Sequence, residues 1–433
     1  MGKKYYIPAN SNTVKWGYYS KNIPPILKID PGDIVTIEVL THHAGDAYNL
    51  MIKGDKNMEE IYEWTNIKKT INRRGMGDIN DKKIGPGKGQ GVHLITGPIH
   101  INGAKPGDIL KVEILDIYPR SSHNKHKYYG SNLAASWGYQ YGDLFDKDKP
   151  KKEVVSIYNV LPSKRIAKPY YNYVWKPQKD PSGIYHQTYN YPGIIVKNRT
   201  IRKNYKINNK LNIDLRPHFG ILGVTPDYNK KVNSILPSNF GGNIDNWRAG
   251  KKSTIYLPVQ VDGANFIVGD SHASQGDSEL SGTAIEFSMT GKFRFSLIKK
   301  NENPFGLHSP IIETPTEWVI QGFSYPDYLK DLGKKSQELI GKKSSLDAAM
   351  RDAYRKTNIF LTKYMKLSED EAISIMSVAV DFGITEVVDM NYGVHAVIRK
   401  NIFKKSNNLT RYKNRKYTNK NRTHKHINKF SRL

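Results

Sequence analysis

The stretch ANFIVGDSHASQGDSELSGTAIEFSM, residues 264–289, decides how this chain is read. It opens on an apolar strand-like run, Ala264–Val268, and passes into eleven residues that hold three carboxylates and an imidazole: Asp270, His272, Asp277 and Glu279. It leaves as an alternating segment over Thr283–Met289. Asp270 and His272 are two apart, so on an extended segment they project from one face. Asp277 and Glu279 follow on a glycine-containing turn, and Glu286 points inward on the next strand. A strand end with two metal-ligating side chains and spare carboxylates beside it fits a hydrolytic centre better than a purely structural element.

Working outward, strand signals dominate the first three-quarters. Pro31-Gly-Asp-Ile-Val-Thr-Ile-Glu-Val-Leu40 is echoed by Pro106-Gly-Asp-Ile-Leu-Lys-Val-Glu-Ile-Leu115. Each is a Pro-Gly-Asp turn opening an alternating strand, which predicts two related positions in one sandwich or barrel. Residues 211–226 return to the core sheet, and Thr290-Gly291 reads as a hairpin turn into Phe293, Phe295 and Leu297. Residues 120–195, rich in Tyr, Pro, Asn and Lys, read as an excursion with short strands, including 153–160, that serves as an interface or lid. After Thr316 the character changes. Leu346, Met350, Ala353, Thr357, Phe360 and Tyr364 follow helical spacing. Ser368-Glu-Asp-Glu371 is a capping box that opens a second helix through about Val380. Strands at 384–390 and 394–398 close the chain. The expected organisation is a β-rich catalytic body over 1–315, an α/β portion of the same unit over 316–403, and a basic, disordered tail over 404–433.

Composition excludes several chemistries. With 433 residues the chain can bury a large core. It has no cysteine, which removes disulfides, thiolate metal sites and thiol nucleophiles. No apolar run reaches the ~20 residues of a membrane span. The N-terminus has no secretory h-region and Tyr6 breaks the myristoylation pattern, so a cytoplasmic protein is expected. Net charge is +27; eleven Lys and Arg lie in 404–433 with no acid, leaving +16 on the remainder. The tail reads as a solvated segment with weak, nonspecific polyanion contact. A non-catalytic polyanion binder is the alternative from another functional class. Residues 67–90 end in Gly-Pro-Gly-Lys-Gly-Gln without the closing Lys-Ser/Thr of a phosphate loop, and no Gly-x-Ser-x-Gly elbow is present.

Two further groups bear on chemistry. Phe240-Gly-Gly-Asn-Ile-Asp-Asn-Trp247 offers close backbone approach at two glycines, and Asn243 and Asp245 could match the carbonyl and NH2 of an amide. In Thr41-His-His-Ala-Gly-Asp46, adjacent histidines of an extended segment face opposite ways, so one of them at most is expected at a site and Asp46 is the better candidate. Asp270 and His272 could hold a divalent metal such as zinc, with Asp46 or another distant residue completing the set. Glu279 is the preferred general base.

Together these segments resemble the acetamidase/formamidase family from about Lys15 to Phe403. The resemblance is carried by GVHLITGPIHINGAKPGDILKVEILD (91–116), RPHFGILGVTP (216–226), FGGNIDNW (240–247), IYLPVQVDGANFIVGDSHASQGDSELSGTAIE (255–286) and SVAVDFGITEVVDMNYGVHAVIRKNIF (377–403). It looks closest to the branch with THHAGDAY near residue 41. It implies a mainly β fold, a jelly-roll-like β-sandwich body with a smaller β subdomain and a C-terminal α/β portion, in a homo-oligomer. It implies hydrolysis of short linear amides to carboxylate and ammonia, with some members acting on γ-lactams, and a bound metal often taken as zinc. Carried onto this chain, its site elements fall on Asp46, Asn243, Asp245, Asp270, His272 and Glu279. The metal is then expected on Asp46, Asp270 and His272, proton transfer on Glu279, and substrate orientation on Asn243 and Asp245. One departure is Ser278, where many members have glycine.

Overall fold

The computed structural model describes residues 2–62, 91–121, 127–144, 152–179, 185–189, 202–203 and 211–403. The expected loop at 67–90 and the basic tail 404–433 lie outside the described residues. The protein is mostly β, built on two large sheets. In the nine-stranded sheet the order is Lys4–Ile7, Ile34–Val39, Met289–Ile298, Ile109–Pro119, Thr254–Pro258, Ile311–Glu313, Glu317–Phe323, Gly393–Arg399 and Val380–Glu386. The first pair is parallel and the others are antiparallel. The second, twelve-stranded sheet centres on Phe266–Ser274, flanked by His218–Val224 on one side and by Leu94–Ile101 and Ile285–Glu286 on the other.

The two sheets face each other across a shared apolar core. Val35 and Ile37, Val112 and Ile114, and Phe293 and Phe295 come from the first sheet; Phe219, Ile221, Phe266 and Val268 come from the second. Their aromatic rings interlock: Phe266 lies 5.9 Å from Phe293 and 5.1 Å from Phe295, and Phe219 lies 5.3 Å from Phe293. Ring pairs at these separations add stabilisation beyond area burial.

The two Pro-Gly-Asp turns are built alike. Gly32 and Gly107 both adopt positive φ, +99° and +93°. In each, the aspartate accepts from the amide three residues before it: Asp30 N donates to Asp33 (3.0 Å) and Lys105 N to Asp108 (3.1 Å). The strands they open, Ile34–Val39 and Ile109–Pro119, flank the same strand, Met289–Ile298. The echo therefore marks two equivalent positions in one sheet.

Several expectations change. Thr290-Gly291 is no hairpin turn: Met289–Ile298 runs straight through it, and a Cβ on Gly291 would stand 2.5 Å from the Phe293 ring and 2.7 Å from that of Phe219. The glycine admits rings rather than reversing the chain. The excursion at 120–195 carries, where described, the short strands expected of it, and they extend the second sheet: Tyr128–Ala134, Val154–Leu161 and Ile166–Val174. The helix expected from Leu346 runs Leu346–Ile359 and continues as a π turn, Phe360–Tyr364, and it is preceded by a helix the spacing did not announce, Ser336–Lys343. The buried face of Leu346–Ile359 carries Ala349 and Ala353 while Met350 is exposed, because Gly322 lets the helix backbone close onto Glu317–Phe323. The capping box at Ser368 forms as expected, with both reciprocal bonds. The strand after that helix starts at Val380 rather than 384. Among the described residues no helix is long and apolar enough to cross a membrane.

One buried ion network ties the N-terminal segments to the sheet. Arg120 bonds Glu38 (2.9 Å) and Asp55, and Glu38 also accepts from Tyr6 OH (2.6 Å) and Ala9 N (3.1 Å). Removing the cation leaves Glu38 charged and buried. Arg120→Met is expected to lower unfolding free energy by about 3–5 kcal/mol, the usual effect of breaking a buried pair on one side. The check is an earlier urea midpoint at unchanged slope; a midpoint equal to the parent's would remove this network from the account of the fold.

Candidate active site

The site forms where the strand Phe266–Ser274 changes partner. Its first half pairs with Leu94–Ile101 and its second half with Ile285–Glu286. Asp270 sits at the change with φ +50°, a left-handed conformation that an aspartate tolerates better than most residues. The extended alternation is thus interrupted at Asp270, yet its carboxylate still meets His272. Two residues on, His272 lies opposite His218 on one neighbour and Glu286 on the other. Directly opposed residues share a sheet face, so His218, His272 and Glu286 form one row across three strands.

Asp270 is the hub. Its Oδ2 lies 3.2 Å from His272 Nε2 and 3.6 Å from His93 Nε2, and its Oδ1 lies 3.3 Å from His42 Nδ1. Glu286 Oε1 is also 3.2 Å from His272 Nε2. Three overlapping sets therefore converge: His42, His93 and Asp270; Asp270, His272 and Glu286; and Asp245, His272 and Glu279, with the ligand atoms of each set within 4.8 Å of one another. All of these residues are buried.

Every expected residue is placed. Asp270, His272, Asp245 and Glu279 come together in these sets. Asn243 ends the strand Gly241–Asn243, two residues before Asp245, and is buried with Oδ1 lacking a partner. Asp46 lies outside the sets. Its carboxylate bonds His43 Nδ1 (3.0 Å), Ser131 Oγ (2.5 Å) and Tyr189 OH. The expectation that only one of His42 and His43 would be near the site does not hold. The chain turns there into the short helix Ala44–Ala47 instead of staying extended, which brings both rings inward, 4.6 Å apart. His42 faces Asp270; His43 is held by Asp46. The reading of residue types assigned no role to His42, His93, His218 or Gln275, whereas Glu286, read as an inward carboxylate of the cluster, meets His272. His93 and His218 lie inside the quoted family motifs, which was their only signal, since their partners lie far along the chain.

Burial and neighbours set the charges. Burial opposes the charge of Asp270, but His93, His272 and His42 outweigh it and hold the carboxyl well below its ordinary range. Burial likewise opposes a charged His272, and Glu286 and Asp270 overcome it. His42 and His93 are pushed down, chiefly by burial. Two neutral imidazoles beside one ionised carboxylate are ligands in the protonation state that a metal requires. The remaining acids are pushed up, by burial first: Asp245 to about 7, Glu386 to about 8, and Glu279 and Asp389 well above the carboxylate range. Asp389 keeps its proton beside Asp245.

The donor set passes a test of fit for a divalent cation. His42 Nδ1, His272 Nε2, Asp270 Oδ1, Asp245 Oδ1 and Glu286 Oε2 are buried without a hydrogen-bond partner. Their contacts are ion pairs of 3.2 to 4.0 Å rather than directed hydrogen bonds, a costly state for buried polar atoms, and mixed imidazole and carboxylate donors suit a zinc-type ion. Gly220 leaves the space: a Cβ there would stand 2.1 Å from Asp245 Oδ1 and 2.7 Å from Asp270 Oδ2.

Two outcomes are expected. Gly220→Ala displaces both carboxylates and lowers turnover by roughly 10²-fold, the scale of a 1 Å misplacement; steady-state rates beside an unchanged circular dichroism spectrum check it, and parental turnover would contradict the geometry. Asp245 and Glu386 titrate near 3.8 and 4.5 ordinarily but at about 7 and about 8 here. Between those values the folded state binds more protons than the unfolded one, so their contribution is present at low pH and lost as pH rises through 7 to 8. The lowered histidines, half protonated at pH 6.5 in the unfolded chain and neutral by pH 8, oppose this with a smaller trend. The melting temperature of metal-stripped protein is therefore expected to fall from pH 6.5 to 8; a flat or rising profile would contradict the assignment.

The acetamidase/formamidase family profile matches residues 42–405, close to the span expected from the motifs. The chain is 26% identical to a formamidase of Methylophilus methylotrophus, with 78% of this chain and 83% of that one covered. It is 25% identical to an acetamidase of Mycolicibacterium smegmatis, covering 71% and 76%. In fold it resembles the crystal structures of acetamidases from Bacillus halodurans (TM-score 0.60, 21% identity, 92% and 99% covered) and Yersinia enterocolitica (TM-score 0.60, 22% identity, 93% of each covered). By a match that spans most of its length, and with a buried imidazole and carboxylate centre inside the matched region, this chain belongs to the acetamidase/formamidase family.

Proposed function

We propose that this protein hydrolyses the C–N bond of short linear amides, the formamide and acetamide class, to carboxylate and ammonia. The observation that carries this reading is the shared Asp270 carboxylate, surrounded by His42, His93 and His272 inside a family of amidases. His42, His93 and Asp270 would hold a divalent metal, zinc by the nature of the donors, and His272, charged beside Glu286 and Asp270, would join them on giving up its proton. When bound, such an ion supplies Lewis-acid polarisation of a carbonyl and acidifies water. Asp46, expected among the ligands, acts in this reading through His43, whose other ring nitrogen is buried and unpaired.

The chain's own groups do the rest. Burial and then Asp245 favour the protonated form of Glu279; a neighbouring cation would favour the ionised form, which takes a proton from the attacking water and passes it to the leaving nitrogen. Asn243 Oδ1 and Asp245 Oδ1 are two buried acceptors without partners. A primary amide brings two N–H donors and matches both; a γ-lactam brings one and leaves an acceptor unpaired, which disfavours the cyclic-amide alternative. A homo-oligomer in the cytoplasm, with weak polyanion contact by the tail, completes the proposal.

The test is ammonia release from formamide and acetamide, and ring opening of a γ-lactam, by protein of measured metal content. Linear amides are expected to turn over faster than the lactam. Asp270→Asn and His272→Ala are each expected to lower kcat by roughly 10²–10³-fold, as loss of one preorganised electrostatic group does. Full amidase activity after exhaustive metal removal, or in both variants, would sink the metal-assisted scheme.

A further inference from the structure

Gln275 follows the strand Phe266–Ser274 directly, is buried, and is used twice. Its Nε2 donates to the backbone carbonyl of Asp245 (2.6 Å). Its Oε1 lies 2.8 Å from His218 Nε2 and 3.1 Å from His272 Nδ1. The two rings also meet each other, Nε2 to Nδ1, at 3.1 Å. The amide cannot be turned over, because two oxygens would then face each other at the Asp245 carbonyl. Its oxygen therefore faces the rings, and an oxygen of this kind only accepts. His218 Nδ1 lies 2.7 Å from the Arg216 carbonyl, also an acceptor, and so carries a hydrogen. A further ring hydrogen must then sit inside the triangle of His218 Nε2, His272 Nδ1 and Gln275 Oε1. His272 is thereby turned so that Nε2 faces Asp270 and Glu286, each at 3.2 Å.

The nitrogen side matters equally. Asp245 has φ +50°, a conformation that depends on its surroundings to persist. Its carbonyl is held by Gln275, and its carboxylate comes within 3.8 Å of the same His272. One carboxamide thus spans three segments: His218–Val224, the end of Phe266–Ser274, and the turn after Gly241–Asn243.

We propose that Gln275 is a positioning residue for this site: its oxygen sets the ring orientation of His272 while its nitrogen sets the backbone of Asp245, so that the two are held in register. This role presupposes the amide-hydrolase reading for its kinetic effect, and its geometric part can be tested without it.

The experiment compares the full-length protein with Gln275→Met, of similar length but without either polar contact. On acetamide, kcat is expected to fall roughly 10–100-fold, the usual effect of losing a partner that orients a ligand. KM stays within about threefold, and metal content by elemental analysis serves as the control. In 15N-histidine-labelled parent protein, the triangle hydrogen is expected as a slowly exchanging ring N–H resonance that Gln275→Met abolishes. Should that variant fail to fold, the resonance in the parent still decides: its absence overturns the proposal. A variant with parental kcat, a loss confined to KM, or an unchanged ring resonance also overturns it. An inactive parent that shows the resonance would instead sink the amidase reading and leave the positioning geometry standing.

Discussion

The structure depends on keeping one carboxylate ionised in a buried place. Asp270 is almost fully enclosed, and an unpaired charge there would be severely destabilising. Three imidazoles from three chain segments surround it: His42 after the strand Ile34–Val39, His93 before Leu94–Ile101, and His272 on its own strand. Bringing these together requires the central strand to drop one neighbour and take another at Asp270 itself. The left-handed backbone of that residue is the local cost of the arrangement, and it lies where backbone strain is expected to collect, at the site.

The surplus of acids around this hub follows from the same constraint. Asp245, Glu279, Glu286, Glu386 and Asp389 are all buried and all pushed toward their neutral forms. Like charges so close cannot all ionise. The result is a gradient of protonation within one site, from the ionised Asp270 ringed by three histidines to the protonated Glu279 and Asp389, each set beside the carboxyl of Asp245. A centre of that kind can hold a cation at one end and move a proton at the other. The dyad of Asp46 and His43 sits at its edge, fastened through Ser131 to the strand that pairs with Ile285–Glu286.

Much of this was legible in order along the chain. The apolar run before Gly269, the Pro-Gly-Asp strand openings and the capping box at Ser368 are local signals, and each yields the element it announces. The Thr290-Gly291 pair misled because a glycine in a strand and a glycine in a turn look alike in sequence; only the rings of Phe293 and Phe219 show that this one admits a side chain. Met350 misled because a helix can face either way until something small, here Gly322, lets its backbone approach. At the site, Asp270, His272, Asp245 and Glu279 were visible as residue types clustered on short segments. His93 and His218 were not, because a lone histidine carries no mark of what it will face.

The sequence by itself determined that the protein is β-rich, that thiol chemistry is excluded, that carboxylates and a histidine gather at one strand end, and, through its motifs, which family it resembles. Those are properties of adjacent residues, of composition and of pattern. Tertiary structure alone decided the membership and the state of the site: that His42 and His93 face Asp270, that Asp46 serves His43, and that Gln275 joins His272 to Asp245. Each of these depends on strand register and on a dielectric set by burial. Both arise only when segments tens to hundreds of residues apart are packed against one another.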